Sequence, residues 1–205
     1  MKVGPKYKIC RRLGSDVFGQ CQTQKFQLAK SKKQGAQRTF RKSRTEYGIQ
    51  LLEKQKVRYS YYINEKQLSN YVKKARNQKE TTPTQSLFAS LESRLDNVVF
   101  RSGFANTRAF ARQIVSHGHI HVNGRKVTVP SYKLKVGDVV SIRPESKENH
   151  IFAGIGEKTK DVATPTWFSY DKKKGEVAIK GTPAQEGAQD ETLDLATVIE
   201  FYSRV

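Results

Sequence analysis

The sequence LESRLDNVVFRSGFANTRAFARQIVSHGHIHVNG, residues 91–124, decides the fold. Its first half continues an apolar stripe that starts at Leu87, with the spacing of three and four residues that is typical of one helix face. A further helix is predicted next, with Asn106 or Thr107 as its cap. Beyond that helix the apolar period falls to two, and Asn123-Gly124 is a strong signal for a type I′ hairpin turn. The stretch therefore predicts helices followed by a hairpin.

Helical spacing also extends upstream of this stretch. A helix of about four turns is predicted from Thr45, with Ser43 or Thr45 as its cap, and a second helix is predicted over residues 64–76. Residues 1–44 show no sustained period and are interrupted by glycines, which favours an extended arm that orders only on its partner. Downstream, the sequence predicts a strand over residues 139–142, a small hairpin around Lys172-Lys173-Lys174-Gly175 and a closing apolar segment.

Composition narrows the classes of protein. The chain has 205 residues, which excludes a large multidomain enzyme, and its 36% hydrophobic content indicates a small or divided core. No apolar run approaches the ~18 residues of a membrane span, and the charged N-terminus does not resemble a secretion signal. The two cysteines cannot build a disulfide scaffold, so we expect a cytosolic protein.

Charge points to a polyanionic partner. Lys and Arg number 38 against 19 Asp and Glu, giving a formal net charge of +19 and a pI near 10.0. Residues 1–79 hold 21 of these cations and only four acids, and residues 25–44 hold eight cations and no acid. A basic transit peptide and a solvated surface are the alternatives, but a solvated surface normally mixes charges of both signs. Phosphate neutralisation with counterion release favours a nucleic acid.

A family resemblance rests on several motifs in order. Residues 91–105, with Thr107-Arg108, ARQ at 111–113, VSHGHI at 115–120, VNG at 122–124 and PSY at 130–132, are similar to the RNA-binding module named after ribosomal protein S4. YGIQL at 47–51, EKQKVR at 53–58 and EFYSR at 200–204 extend the similarity beyond that module. The chain as a whole therefore resembles the bacterial ribosomal S4 family.

This resemblance implies an α+β fold with an inserted module. The expected organisation is a basic extended RNA-binding arm at 1–44, a helical domain at 45–91 completed by 151–205, and the helix-helix-hairpin-strand module at 92–150. It implies a structural, non-enzymatic protein of the small ribosomal subunit that binds the 5′ domain of the small-subunit rRNA. It further implies early subunit assembly, a contact with ribosomal protein S5 that bears on accuracy, and a cytoplasmic place near the path by which mRNA enters.

The expected RNA contacts combine the resemblance with charge. In the module, the second helix and the turn after it would present Arg108, Arg112, Ser116 and His117 to RNA, although an ordinary solvated helix face is the alternative. A-form RNA is gripped mainly by shape and phosphate, which suits the planar fork of arginine. The full set of predicted RNA contacts is Arg11, Arg12, Arg38, Arg41, Arg44, Lys54, Lys56, Arg58, Arg94, Arg108, Arg112, Ser116, His117 and Lys126. For Arg94, the alternative is an internal ion pair, in which Asp96 binds either Arg94 or Arg101.

Metal and cofactor sites are not expected. Some members of the resembling family bind zinc through four cysteines in the arm, but here Tyr7 occupies the first such position and only Cys10 fits the second. Because structural zinc needs four ligands, we predict no metal and two isolated thiols at Cys10 and Cys21. A pseudouridine synthase is disfavoured because about 55 residues follow the module, too few for a catalytic domain. Binding of the protein's own messenger RNA stays open.

Overall fold

The fold comes from a computed structural model that describes residues 3–36, 45–147, 149, 152, 165–171, 175–184 and 193–204. The chain divides into two compact units. The first unit comprises Met1–Lys73 with Asp190–Val205, and the second comprises Lys74–Gln189. Helices and strands follow along the chain as α1 (Lys6–Leu13), α2 (Gln24–Ala36), α3 (Glu46–Ser60), α4 (Glu65–Asn77), α5 (Pro83–Glu92), α6 (Leu95–Arg101), α7 (Arg108–Ser116), β1 (Ile120–Val122), β2 (Arg125–Lys126), β3 (Val139–Ile142), β4 (Phe168–Asp171), β5 (Glu176–Ile179) and α8 (Leu195–Arg204). The predicted α+β class is confirmed.

In the first unit the C-terminal helix α8 packs on α3. The predicted cap of α3 is confirmed, because the Thr45 hydroxyl accepts a hydrogen bond from the Gly48 amide at 3.2 Å. The ring of Tyr47 lies 5.6 Å from that of Phe201, and the ammonium of Lys54 lies 4.4 Å from the centre of the Phe201 ring. Fully or almost fully buried apolar side chains of this unit include Val57, Tyr61, Ile63, Leu68, Val72, Leu195, Val198 and Phe201.

The N-terminal region differs from the predicted extended arm. Residues 6–13 and 24–36 form α1 and α2, with a 3₁₀ turn at Gly19–Gln22 between them. Gly14 ends α1 in the left-handed conformation at φ 72°, where its amide donates to the Cys10 carbonyl. The prediction was wrong for the described part because Cys10, Cys21 and Phe26 form a small buried cluster that helical periodicity does not reveal. Residues 37–44 lie outside the described part.

The second unit is built on one antiparallel sheet of five strands. Their order is β2-β1-β3-β5-β4, and α6 and α7 pack together. Apolar side chains of the two helices and the sheet form one core, which includes Leu95, Val98, Val99, Phe104, Ala111, Ile114, Val115, Ile120, Val140, Trp167, Phe168 and Val177. The predicted hairpin is confirmed, since Asn123 and Gly124 have φ of 51° and 76° as a type I′ turn requires.

The long apolar stripe of residues 87–99 forms two helices instead of one. The chain leaves helical geometry at Arg94, whose φ of −69° and ψ of 139° are extended. An irregular segment pairs with this break: the Leu95 amide donates to the Tyr132 carbonyl at 2.9 Å, and the Leu134 amide donates to the Ser93 carbonyl at 2.9 Å. These tertiary hydrogen bonds replace the helical ones that periodicity alone predicted.

The C-terminal segment is divided between the units, which corrects the predicted domain boundaries. Strand β5 pairs with β3, with Val177 opposite Val140, so the β4–β5 hairpin extends the sheet of the module. Only Asp190–Val205 joins the first unit, and residues 74–91 belong to the second. The β4–β5 hairpin was predicted from the sequence. Its pairing with β3 was not, because nothing in the sequence near the hairpin indicates which strand it joins.

Candidate nucleic-acid interface

Helix α7 has one buried face and one polar face. Thr107 caps it by accepting a hydrogen bond from the Phe110 amide at 3.2 Å, as predicted. The inward face carries Ala111, Ile114 and Val115, all buried. Arg108, Arg112 and Ser116 are spaced four residues apart, so they form one polar stripe along the edge of the buried face.

The two arginines of this face are held in place by internal partners. Arg108 donates from Nε to the Asn97 side-chain oxygen at 2.7 Å, and its guanidinium lies 4.5 Å from the centre of the Phe100 ring. Arg112 keeps 30% of its side chain exposed and lies 3.8 Å from the Asp96 carboxylate. Both guanidinium groups are therefore oriented by the fold before any ligand binds.

The polar face continues past the helix through His117 to the hairpin. His117 is exposed, and Gly118 follows it with φ of 77°. A Cβ at Gly118 would lie 2.2 Å from the Lys126 Cε, so the glycine allows the exposed Lys126 to cross the end of the helix. We name the exposed or half-exposed polar set Arg108, Arg112, Ser116, His117 and Lys126 the α7 surface.

His119 lies beside this surface but packs inward. Its Nδ1 is 2.9 Å from the Ser146 hydroxyl. The pKa of His119 is lowered, first by burial of the imidazole and then by the positive charge of His117. Arg143 and Lys126 lower the pKa of His119 further. His119 therefore favours the neutral form more than a solvent-exposed histidine does, chiefly through burial, and the nearby cations add to this effect.

Two acids near the α7 surface, Asp96 and Glu92, are paired with internal arginines. Arg94 holds the Asp96 carboxylate through two hydrogen bonds of 2.9 and 2.6 Å. Glu92, 1% exposed, accepts from Arg101 at 3.2 and 3.0 Å and from the Asn97 amide at 2.8 Å. The Asn97 side chain thus links buried Glu92 to the α7 surface at Arg108.

Several predicted RNA contacts are instead internal. Arg94 is only 1% exposed, and its bond with Asp96 is the alternative that the sequence analysis left open. Lys54 is 7% exposed and donates to Glu65 at 2.9 Å. The structure therefore does not support Arg94 or Lys54 as RNA contacts, because neither charge reaches the surface.

Two other α3 cations are paired as well. Lys56 donates to Glu53 at 2.5 Å and keeps 18% of its side chain exposed. Arg58 lies 3.4 Å from Glu65, and its guanidinium lies 4.9 Å from the centre of the Tyr59 ring. Glu53 precedes Lys56 by three residues on α3, and Glu65 comes from α4. The positive charge of α3 alone therefore suggested a phosphate-binding face.

The N-terminal cations are differently placed. Arg11 and Arg12 are exposed in the last turn of α1. Arg38, Arg41 and Arg44 lie outside the described residues. The predicted set omitted many further exposed cations, namely Lys6, Lys8, Lys25, Lys66, Lys73, Lys74, Arg76, Lys79, Arg125, Lys133, Lys135, Lys147, Lys180 and Arg204. For Arg125 a signal existed, because it directly follows the Asn123-Gly124 turn beside Lys126.

The cysteines correct another prediction. Cys10 and Cys21 are joined as a disulfide with a Cα–Cα distance of 6.7 Å, so they are not isolated thiols.

Among the residues that the structure describes, no group of three or more His, Cys, Asp or Glu side chains could hold a metal ion. In the same described part, no helix has the length and apolarity to cross a membrane.

Comparison with known proteins assigns the family. Residues 2–92 match the family model described as Ribosomal protein S4/S9 N-terminal domain, and residues 93–140 match the S4 domain. The chain is 41% identical over 205 residues to the small ribosomal subunit protein uS4 of Thermotoga petrophila, covering 98% of both chains. It is 43% identical over 202 residues to uS4 of a Synechococcus strain, and 42% identical over 207 residues to uS4 of Chromobacterium violaceum, covering 98% of this chain and 97–98% of theirs. These matches run the length of both units, and the chain therefore belongs to the family of small ribosomal subunit protein uS4.

Proposed function

We propose that this chain is a structural component of the small ribosomal subunit that binds rRNA through the α7 surface and the cations of α1. Membership of the uS4 family supports the ribosomal role, and the proteins of that family are structural and not enzymes. One observation supports the location of the contact: cations remain exposed on the α7 surface while the neighbouring acids are held by internal arginines.

The geometry suits recognition by shape. Arg112 and Lys126 come from different elements, α7 and β2; Arg112 keeps part of its side chain exposed, and Lys126 is exposed beside Gly118, which follows α7. A-form RNA offers phosphates and 2′-hydroxyls across a shallow groove, and such a groove can be gripped without reading base edges. An arginine that is already oriented loses less side-chain entropy when it binds a phosphate.

Finer parts of the function extend this proposal. We expect binding to the 5′ domain of the small-subunit rRNA, a role in nucleating subunit assembly, and a contribution to translational accuracy together with ribosomal protein S5. We also expect the ribosome-bound chain to be cytoplasmic and to lie near the path by which mRNA enters. The family resemblance supports each of these expectations.

The test is a charge-matched pair of variants. We expect Arg112→Ala with Lys126→Ala to weaken binding to the 5′ domain by about tenfold or more, because two phosphate contacts are lost. The control, Lys180→Ala with Lys147→Ala, removes the same charge from exposed positions outside the α7 surface. Filter binding at one fixed salt concentration, with melting temperature as a check on folding, measures the difference.

Equal weakening in both double variants would contradict the α7 surface as the contact, because it would leave only the total charge as the cause. Unchanged affinity in the Arg112 and Lys126 variant would contradict it as well.

A further inference from the structure

A covalent bond closes the N-terminal region on itself. Cys10 lies in α1 and Cys21 in the 3₁₀ turn Gly19–Gln22, and their sulfurs are bonded across 11 residues of sequence. Both side chains are 0% exposed. The bond therefore fixes α1 against the turn that leads into α2.

The apolar cluster around the bond is very small. Its buried members are Cys10, Cys21 and Phe26, with Phe18 packed against them in part. A core of this size buries little apolar area, and small folded units of this kind usually depend on a cross-link or a metal. The disulfide is thus one support for the described structure between α1 and α2, beside the contact of α1 with α3 and of the Phe18 ring with the Tyr59 ring at 5.9 Å.

Cations surround this cluster and oppose its closure. Lys6, Lys8, Arg11 and Arg12 lie on α1 and Lys25 on α2, all exposed, whereas Asp16 is the only acid among residues 1–44. Like charges that are brought together repel each other, most strongly at low salt. A covalent bond holds them together before RNA phosphates neutralise them.

Cation placement depends directly on the cluster. The Arg11 guanidinium lies 5.7 Å from the centre of the Phe26 ring, and the Tyr7 ring lies 5.1 Å from the same ring. The Gln27 side chain donates to the Cys21 carbonyl at 3.0 Å. Opening the bond would therefore release the contacts that orient Arg11.

The thiol of reduced Cys21 would have a hydrogen-bond acceptor beside it. The Cys21 sulfur lies 3.9 Å from the Lys6 carbonyl oxygen, which can accept a weak hydrogen bond from a thiol. Disulfides of cytosolic proteins, where they occur, are usually transient or redox-sensing, because cellular thiols reduce them. The pair is thus compatible with reversible chemistry.

We propose that Cys10 and Cys21 form a reversible dithiol–disulfide site whose oxidised form holds the α1 cations in their RNA-binding arrangement. This inference rests on the proposed rRNA binding and on a cytoplasmic setting. The co-substrate is a small thiol, or its disulfide for the reverse reaction.

Reduction of the bond proceeds through two thiol–disulfide exchange steps. After local opening exposes the buried bond, a small thiolate attacks one cysteine sulfur, the Cys10–Cys21 bond breaks, and the released thiolate takes up a proton. A second small thiolate attacks the mixed disulfide, which frees the second cysteine and forms the small disulfide. The protein gains two electrons and two protons, and two small thiols are oxidised to one disulfide.

The experiment compares the intact chain in two redox states. One sample is treated with oxidised glutathione and the other with dithiothreitol, and alkylation followed by mass measurement counts the thiols in each. We expect no alkylated cysteine in the first sample and two in the second. Binding to the 5′ domain of the small-subunit rRNA is expected to weaken by about tenfold on reduction, because flexible cations must be ordered on binding. Helicity measured by circular dichroism should fall as well.

The matched control is the double variant Cys10→Ser, Cys21→Ser. It should bind rRNA with the affinity of the reduced wild-type chain and should not respond to dithiothreitol. Equal affinity of the two wild-type states would overturn the inference while leaving rRNA binding intact. Failure of oxidised glutathione to form the bond in the native chain would also overturn it. Absence of binding in both states would overturn the proposed function, and the inference with it.

Discussion

Glu65 brings together three polar side chains of the first unit, from α3 and α8. It accepts hydrogen bonds from the Tyr202 hydroxyl at 2.6 Å and from Lys54 at 2.9 Å, and Arg58 lies 3.4 Å away. Burial is the largest single effect and raises the pKa of Glu65, but these hydrogen bonds and cations together outweigh it and lower the pKa. Burial, and next the Glu65 carboxylate, raise the pKa of Tyr202. Glu65 thus ties the C-terminal helix α8 to α3 and α4.

Replacing Glu65 by Gln should destabilise the chain at neutral pH by about 1 kcal/mol, a value reduced for solvent screening. A carboxylate whose pKa is lowered by folding contributes stability above its unfolded pKa and loses it as pH falls through the folded pKa. The difference between wild type and Glu65→Gln should therefore shrink as pH falls below the ordinary value of 4.5. Urea midpoints measured across this range provide the check.

Glu200→Gln is the control for that prediction. Glu200 is 49% exposed and pairs with Arg204 one helical turn later, so its loss should cost no more than about 0.5 kcal/mol. A stability difference for Glu65→Gln that stays constant down to acid pH would contradict the role assigned to the carboxylate.

A buried ion pair joins α5 and α6 across the break between them. Glu92 ends α5, and the buried Arg101 ends α6. Their bidentate contact, with Asn97 bound to the same carboxylate, holds the two short helices together. Seven residues form α6, and such a short helix is marginal without tertiary contacts.

Glu92→Gln should therefore cost about 3 kcal/mol, because removing one partner leaves the Arg101 charge buried without compensation. Urea unfolding followed by circular dichroism measures the loss. The double variant Glu92→Gln, Arg101→Met should recover part of it, since the uncompensated charge is then gone. A loss below about 1 kcal/mol in the single variant would contradict this account of the helix break.

The end of α7 depends on a glycine. Gly118 has φ of 77°, which costs an L-residue about 1 kcal/mol, whereas the Lys126 side chain that crosses it is flexible and can move. Gly118→Ala should lower stability by about 1 kcal/mol and shift Lys126 away from the α7 surface. Gly181→Ala is the control, because a Cβ there meets nothing within 4 Å. Equal melting temperatures for the two variants would contradict this prediction.

Helix starts and turns were predictable where residues close in sequence determine them. The Thr45 and Thr107 caps and the Asn123-Gly124 turn are set by nearby residues, and the structure has all three. The break at Arg94 was not predictable, because the segment that pairs with it lies some 40 residues later and carries no periodic signal. Helix α1 was missed for a similar reason, since it is held by a bond to Cys21 and by contact with α3, neither of which its own sequence reveals.

For the whole molecule, the sequence predicted the family and the sign of the charge better than the division of the chain. The motifs of the module are contiguous, so their order identified it, and the family matches agree. The assignment of each cation was less predictable, because Lys54 and Arg94 differ from exposed cations only through acids brought close by folding. Net charge of +19 cannot distinguish a charge held inside from one that reaches solvent.

The central claim is that exposed cations of this chain bind rRNA phosphates. The most direct measurement is the affinity of the intact chain for the 5′ domain of the small-subunit rRNA as a function of salt concentration. The account predicts a linear fall of log affinity with log salt, with a slope steeper than about −3, since each of several neutralised phosphates contributes about −0.7 to −0.9. A slope near zero, or no binding at physiological ionic strength, would contradict it.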